Sequence, residues 1–300
     1  MTPATVPAQP PAPRAWRAHP RWFAAMAGAV AASVPLIAIH RVPLTAEYCI
    51  LAGLVLWTAV GRHPAAAWAW TAWLAAIVAL DDLRGLQAVL GTPHAADVVA
   101  FESRLFGGSP VNRLQQAWGR SGLQPWDVVL SVVYLFHSPA PLVCGAVLWR
   151  LRRRFFRPFV LTQIGNAVVG LVVYLAFPEA PPWRAAQLGV LPPVRRIASE
   201  VVAHGGPLSG VYGGADPLPN AAMPSLHVAY PVIVAWWTVR AFGWRAAWIA
   251  LYPLCICVAV VYLGEHYVVD VLAGLVLAGA GIAGAELWTR RAATRPPGWG

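Results

Sequence analysis

Long apolar runs alternate with short polar joints along this chain, a pattern that predicts membrane-crossing helices rather than a soluble core. A span needs roughly 20 mostly apolar residues, and eight stretches fit: about 22–39, 45–61, 64–80, 126–149, 158–177, 224–242, 245–263 and 266–288. Two stretches break the rhythm. Residues 81–125 scatter Asp81, Asp82, Arg84, Glu102, Arg104, Arg113 and Arg120 among Leu, Val and Phe, which predicts one or two amphipathic helices lying in the membrane interface. Residues 178–223 are rich in Pro and Gly, and connections of that length commonly serve function. The predicted fold is an all-α polytopic membrane helix bundle of about eight spans with an interfacial helical segment. Its expected parts are a disordered cytoplasmic tail over 1–20, N-terminal spans and interfacial segment over 21–125, a main bundle over 126–288, and a cytoplasmic tail over 289–300.

Composition supports this pattern. Hydrophobic residues make up 58% of the 300 and charged residues only 11%, against about 25% charged in a soluble domain. All 22 basic residues are Arg, a bias that points to a GC-rich bacterial genome. A net charge of +10 could suggest nucleic acid, but the arginines sit in short clusters between apolar runs, so no nucleic-acid partner is expected. Arg14, Arg17, Arg21, Arg62, the Arg150–Arg157 group, Arg240, Arg245, Arg290, Arg291 and Arg295 all fall on one side of an eight-span chain. That side should be the cytoplasm, with both termini on it, in the plasma membrane. No cleavable signal peptide is expected, because no small-residue cleavage site follows the first apolar run before His40. The cysteines Cys49, Cys144, Cys255 and Cys257 each lie within apolar runs and read as small buried hydrophobes, with no metal site or disulfide framework.

Polar groups at a membrane helix end need a reason, because burying them is unfavourable. Three such places fall on the expected extracytoplasmic side. In Pro224-Ser225-Leu226-His227, Pro suits the first turn of a helix, and the unpaired N–H groups of that turn favour an anion beside Ser225 and His227. In His266-Tyr267-Val268-Val269-Asp270, the i,i+4 spacing puts His266 and Asp270 on one helix face. The carboxylate can then take a proton from one ring nitrogen and leave the other as nucleophile. In Pro178-Glu179-Ala180-Pro181-Pro182-Trp183-Arg184, the prolines make a rigid exit that can hold Trp183 at the interface and Arg184 near an anionic head group. Each motif alone has a plainer reading: a helix cap with an incidental His, a polar pair between helices, an ordinary loop charge. Two histidine motifs about 40 residues apart, each opening a span at one face, are more specific together. Tyr134 and His137, at i and i+3 in the fourth span, are further candidates for substrate contact, or for an interhelix hydrogen bond.

These residues resemble the type 2 phosphatidic acid phosphatase superfamily, and more closely its inositol phosphorylceramide synthase branch. That branch carries A-P-P-W, P-S-L-H and H-Y-x-x-D, matched here by Ala180–Trp183, Pro224–His227 and His266–Asp270. The resemblance implies that His266 attacks phosphorus to form a phosphohistidine and that Asp270 orients it. It also implies that His227 protonates the leaving group and then serves as base for the acceptor. No metal or other cofactor is expected from this chemistry. The superfamily's Ser-Arg dipeptide would fall at Ala259 and Val260, a departure shared with the synthase branch. Arg150-x6-Arg157-Pro158 imitates the K-x6-R-P motif, but it lies at the other end of span five, about 30 Å from the histidines. The cationic partner of the phosphate is therefore sought at Arg184, with Arg195 and Arg196 behind it, and Ser225, Trp183, Tyr267, Tyr134 and His137 complete the expected binding set.

The resemblance implies an integral membrane phosphotransferase acting on lipid substrates. The alternatives are a lipid phosphate or polyprenyl pyrophosphate phosphatase at the same site and, in another class, a non-enzymatic lipid transporter or scaffold. Donor, acceptor and oligomeric state are left open by the sequence.

Overall fold

The computed structural model describes residues 92–119, 121–204 and 220–294, together with part of a helix between residues 70 and 83. The expected tail 1–20, the first two spans, Asp81, Asp82, Arg84, Arg120 and residues 205–219 lie outside the described residues.

The described chain is helical throughout, with isolated β-bridges as the only extended pairing among the described residues. Two short helices come first: α1 (Ala96–Phe106) and α2 (Pro110–Trp118). At 11 and 9 residues they are too short to cross a bilayer, as expected for the segment over 81–125. α3 (Pro125–Leu135) starts at a capping box, where the Gln124 N–H donates to Asp127. α4 (Pro139–Leu151) follows at a 53° bend. This corrects the expectation of one continuous span over 126–149. Pro139 has no N–H to continue the helix and its ring crowds the preceding turn, so the run breaks at Phe136–Ser138. Tyr134 and His137 consequently stand at a helix break, not in mid-helix.

A 3₁₀ turn at Arg153–Phe155 leads into α5 (Phe156–Ala176), and Pro178 ends it by forcing Phe177 out of helical geometry. α6 (Pro182–Gln187) and α7 (Ile197–His204) belong to the outer connection. α8 (Leu226–Phe242) is capped by Ser225 and stops at Gly243. Pro224 thus precedes the cap and does not occupy the first turn as expected; its carbonyl accepts from the Tyr174 hydroxyl at 2.7 Å. A 3₁₀ turn at Trp244–Ala250 continues as α9 (Leu251–Tyr262), and α10 (Val268–Thr294) closes the described chain.

Three helical stretches are long and apolar enough to cross a membrane, Arg153–Ala176, Trp244–Tyr262 and Val268–Arg291, and the bent α3–α4 pair makes a fourth. Their outward faces carry exposed Val132, Val172, Leu254 and Val276, as lipid-facing surfaces require. α8 is the hub, packed by α4, α5, α9 and α10. Its far half buries Ile233 and Trp237 with Leu148, Phe159 and Ala278, while Val228 near its start joins Val98, Val111, Ile256 and Tyr267. Small residues let α10 come close: a Cβ on Gly274 would sit 2.4 Å from the Ser225 carbonyl oxygen, and one on Gly281 would sit 2.0 Å from Asn166 Nδ2.

Candidate active site

The two motifs meet where α8 and α10 begin. The Ser225 N–H donates to the Asp270 carbonyl at 3.1 Å, a backbone tie that sets one helix start against the other. Across this junction His227 Nδ1 lies 2.8 Å from His266 Nε2, and His266 Nδ1 lies 3.3 Å from Asp270 Oδ2. Asp270 accepts, so His266 carries its proton on Nδ1, its Nε2 accepts, and His227 Nδ1 is the donor. His266 is 2% exposed and Asp270 fully buried, whereas His227 is half-buried.

The expectation that His266 and Asp270 share a helix face gives the right contact for the wrong reason. α10 starts only at Val268, so His266 precedes it. Asp270 Oδ2 accepts the Tyr267 N–H at 2.9 Å, a side-chain cap that nucleates the helix and draws the carboxylate back toward His266.

The loop carrying His266 is held from several directions. Gly264 has φ +83°, and a Cβ there would lie 2.6 Å from the Arg195 carbonyl oxygen, so both backbone angle and space call for glycine. The Glu265 and His266 N–H groups both donate to the Val260 carbonyl at 3.0 Å. Gln115 of α2 donates to the carbonyls of Arg195 (2.8 Å) and Tyr262 (2.9 Å) and accepts from the Arg195 N–H (2.9 Å). From α1, Glu102 accepts the Val268 N–H at 2.6 Å. Burial pushes the Glu102 carboxyl up to about 7, with the Val268 N–H opposing. Sequence reasoning missed these clamps, since Gln115 and Glu102 belong to a segment that carries no motif.

His227 is placed differently. The Tyr134 ring stacks on it at 4.7 Å between centroids, and the His137 ring lies 4.1 Å away at 59°. His137 Nδ1 donates to the Tyr134 carbonyl at 2.7 Å, an acceptor exposed by the helix break. The bend therefore delivers both expected residues to the histidine pair.

The remaining expected residues surround this core. The Ser225 Oγ is buried without a hydrogen-bond partner among the described residues. Tyr267 is fully buried, and its hydroxyl has no hydrogen-bond partner among the described residues; burial pushes the phenol up. The Trp183 N–H donates to the Gly264 carbonyl at 3.2 Å, docking α6 on the nucleophile loop. Arg196 lies 4.3 Å over the Trp183 ring and pairs with Glu265 at 3.0 Å, and Arg195 pairs with Glu200. The half-buried Arg184 has a buried Nε with no hydrogen-bond partner among the described residues. Arg157 sits over Trp288 at the opposite end of the bundle, as expected for an anchor. A cavity lined by Arg154, Trp237, Arg240 and Glu286 lies at that same far end. It begins about 15 Å along α8 from His227 and takes no part in the histidine site.

Arranged this way, His266 Nε2 can act as nucleophile with its other nitrogen braced, and His227 stands beside it as proton donor. In-line transfer needs phosphorus between nucleophile and leaving oxygen, so a contact of 2.8 Å between the rings must open for the phosphoryl group to pass.

Residues 96–284 match the PAP2 superfamily, and the chain belongs to that family. It is 28% identical over 163 residues to the phosphoinositol dihydroceramide synthase of Bacteroides thetaiotaomicron, covering 50% of this chain and 52% of the relative. To the catalytic subunit of inositol phosphorylceramide synthase from Schizosaccharomyces pombe it is 26% identical over 161 residues, covering 51% of this chain and 38% of the relative. The chain thus spans about half, or less, of the length of these curated relatives. No solved structure matches.

Proposed function

We propose that this protein is a lipid phosphotransferase of the inositol phosphorylceramide synthase type, moving a phosphoryl-linked head group from a phospholipid to a lipid alcohol. The observation that carries the reading is the run His227 Nδ1, His266 Nε2, His266 Nδ1, Asp270 Oδ2, with contacts of 2.8 and 3.3 Å at a junction of two helix starts. In the first step His266 Nε2 attacks phosphorus, the bond to the lipid oxygen breaks, and His227 gives that oxygen its proton. In the second step the acceptor hydroxyl returns a proton to His227 and attacks phosphorus, breaking the N–P bond. Asp270 steadies the positive charge on His266, and Arg184 binds the phosphate oxygens.

The test is His266→Ala. Turnover of phospholipid in the presence of a lipid alcohol, and an acid-labile phosphoenzyme, should both be lost, while Arg157→Gln keeps both. Surviving turnover sinks the phosphohistidine reading, and phosphate release indifferent to added lipid alcohol replaces the transferase with a phosphatase.

We also propose that the site faces outward across the plasma membrane, with both termini cytoplasmic. The arginine end of the bundle and the histidine end are separated by the length of α5, 21 residues or about 30 Å. With the native cysteines replaced, Gln187→Cys on the exposed end of α6 should react with an impermeant thiol reagent on intact cells. Labelling only after permeabilisation reverses the orientation.

A further inference from the structure

Glu179 is fully buried, and neither of its side-chain oxygens is reached by a hydrogen-bond donor among the described residues. Its backbone is far from idle. The Glu179 N–H donates to Asn220 at 2.8 Å, its carbonyl accepts from the Ala222 N–H at 3.3 Å, and it bridges to both His94 and Ala221. Glu179 thus ties the approach to α1 to the segment that enters Pro224–His227. Both of its side-chain oxygens are buried acceptors, as is Asp270 Oδ1, and the Asp270 carboxylate is the neighbouring charge that acts most strongly on it.

Asp270 has two unlike oxygens. Oδ2 accepts from Tyr267 and faces His266, whereas Oδ1 is buried with no partner among the described residues. Two buried carboxyls side by side do not both ionise; they share a proton. Asp270 is already stabilised as an anion by its donors, and Glu179 has none, so the proton belongs to Glu179. Among the described residues, the titratable groups acting most strongly on Glu179 include no cation: Asp270 and Tyr267 stand at the start of α10, and Glu102 and Asp97 on α1. His94, which pairs with it through backbone, turns its ring onto Phe177 and Asp97. Burial first, then the Asp270 charge, hold the Glu179 carboxyl well above the usual carboxylate range.

We propose that Glu179 is a positioning residue, a neutral carboxylic acid that donates its proton to Asp270 Oδ1 and so fixes the carboxylate that holds His266. The proposal rests on the reading of His266 as nucleophile. Without this donor the negative charge of Asp270 is less shared, so the carboxylate beside His266 Nδ1 holds the proton on the ring more tightly.

The experiment compares Glu179→Gln and Glu179→Leu with the wild-type protein in phospholipid vesicles, measuring turnover against pH. Gln keeps an N–H donor, so its rate should stay within about twofold and its acid limb should not move. Leu removes the donor and leaves a buried acceptor bare, so its rate should fall about 10- to 100-fold and its acid limb should move to higher pH. A limb that moves to lower pH in both variants means an ionised Glu179 and overturns the proposal. A rate loss in Leu with no movement of the limb means packing alone and also overturns it. Infrared spectroscopy gives a readout that does not depend on turnover or on the folding of the Leu variant. A protonated-carboxyl C=O band should be present in the wild type and lost in Glu179→Gln, and its absence from the wild type overturns the proposal. His266→Ala is run alongside: if it keeps turnover, the proposed function fails, while the infrared band still decides where the proton sits.

Discussion

The loop Gly264–Asp270 is gripped by α1, α2, α6 and the start of α10, whereas His227, at the start of α8, stands between two rings on a bent pair of helices. The His266 side has a glycine with no room for a side chain, paired N–H groups on one carbonyl and a carboxylate that caps a helix. The His227 side has ring stacking and a 2.8 Å contact to His266. The contrast teaches that the two histidines are oriented by different means. A nucleophile gains from preorganisation, because misplacement at the reacting atom is heavily penalised. Ring stacking orients an imidazole by its face and leaves its ring nitrogens to make the hydrogen bonds.

The largest break in this comparison is Gly264→Ala. The added methyl meets the Arg195 carbonyl in a left-handed backbone, so stability should fall by about 1–3 kcal/mol and turnover by more than tenfold. Thermal unfolding in detergent and a turnover assay measure both, and an active, equally stable variant would show that the loop is not rigidly required. On the other side, Tyr134→Leu removes the stack on His227 and should lower turnover by about 2- to 10-fold with little change in unfolding temperature. A larger loss than that of Gly264→Ala would reverse the ranking of the two sides. The smallest effect is Glu102→Gln. The Glu102 carboxyl is pushed up to about 7 in the fold, so its contribution to stability is complete below its unfolded value and fades as pH rises through about 7. The drop in unfolding temperature between about pH 5 and about pH 8 should therefore be smaller in the Gln variant than in the wild type, and an equal drop removes Glu102 from the account.

The meeting of His227, His266 and Asp270 was legible because its information is local. His227 follows a helix cap by two residues and His266 stands four residues before Asp270, so neighbours in sequence report neighbours in space. Even there the reason differed, since Asp270 reaches His266 by capping a helix that His266 never enters. The long apolar runs gave α5, α9 and α10 to within a few residues. The bend after α3 was written in Pro139 and Pro141, but the apolar composition of the run outweighed them. Glu102, Gln115 and Glu179 were not legible as site residues. Each meets a partner far away in sequence: Glu102 and Gln115 belong to a segment without a motif, and Glu179 stands in a proline motif whose reading fell on Trp183 and Arg184. Arg195 and Arg196, attractive as phosphate ligands in a linear reading, turn out to be engaged by Glu200 and Glu265.

The glycines of α10 carry a mechanical consequence. Gly274 and Gly281 are two notches, two helical turns apart, into which Ser225 and Asn166 fit. A shaft keyed at two points can neither slide nor turn against its bearing. If the histidines must part for a phosphoryl group, the moving wall is on the opposite side, where Tyr134 and His137 ride on the hinge between α3 and α4.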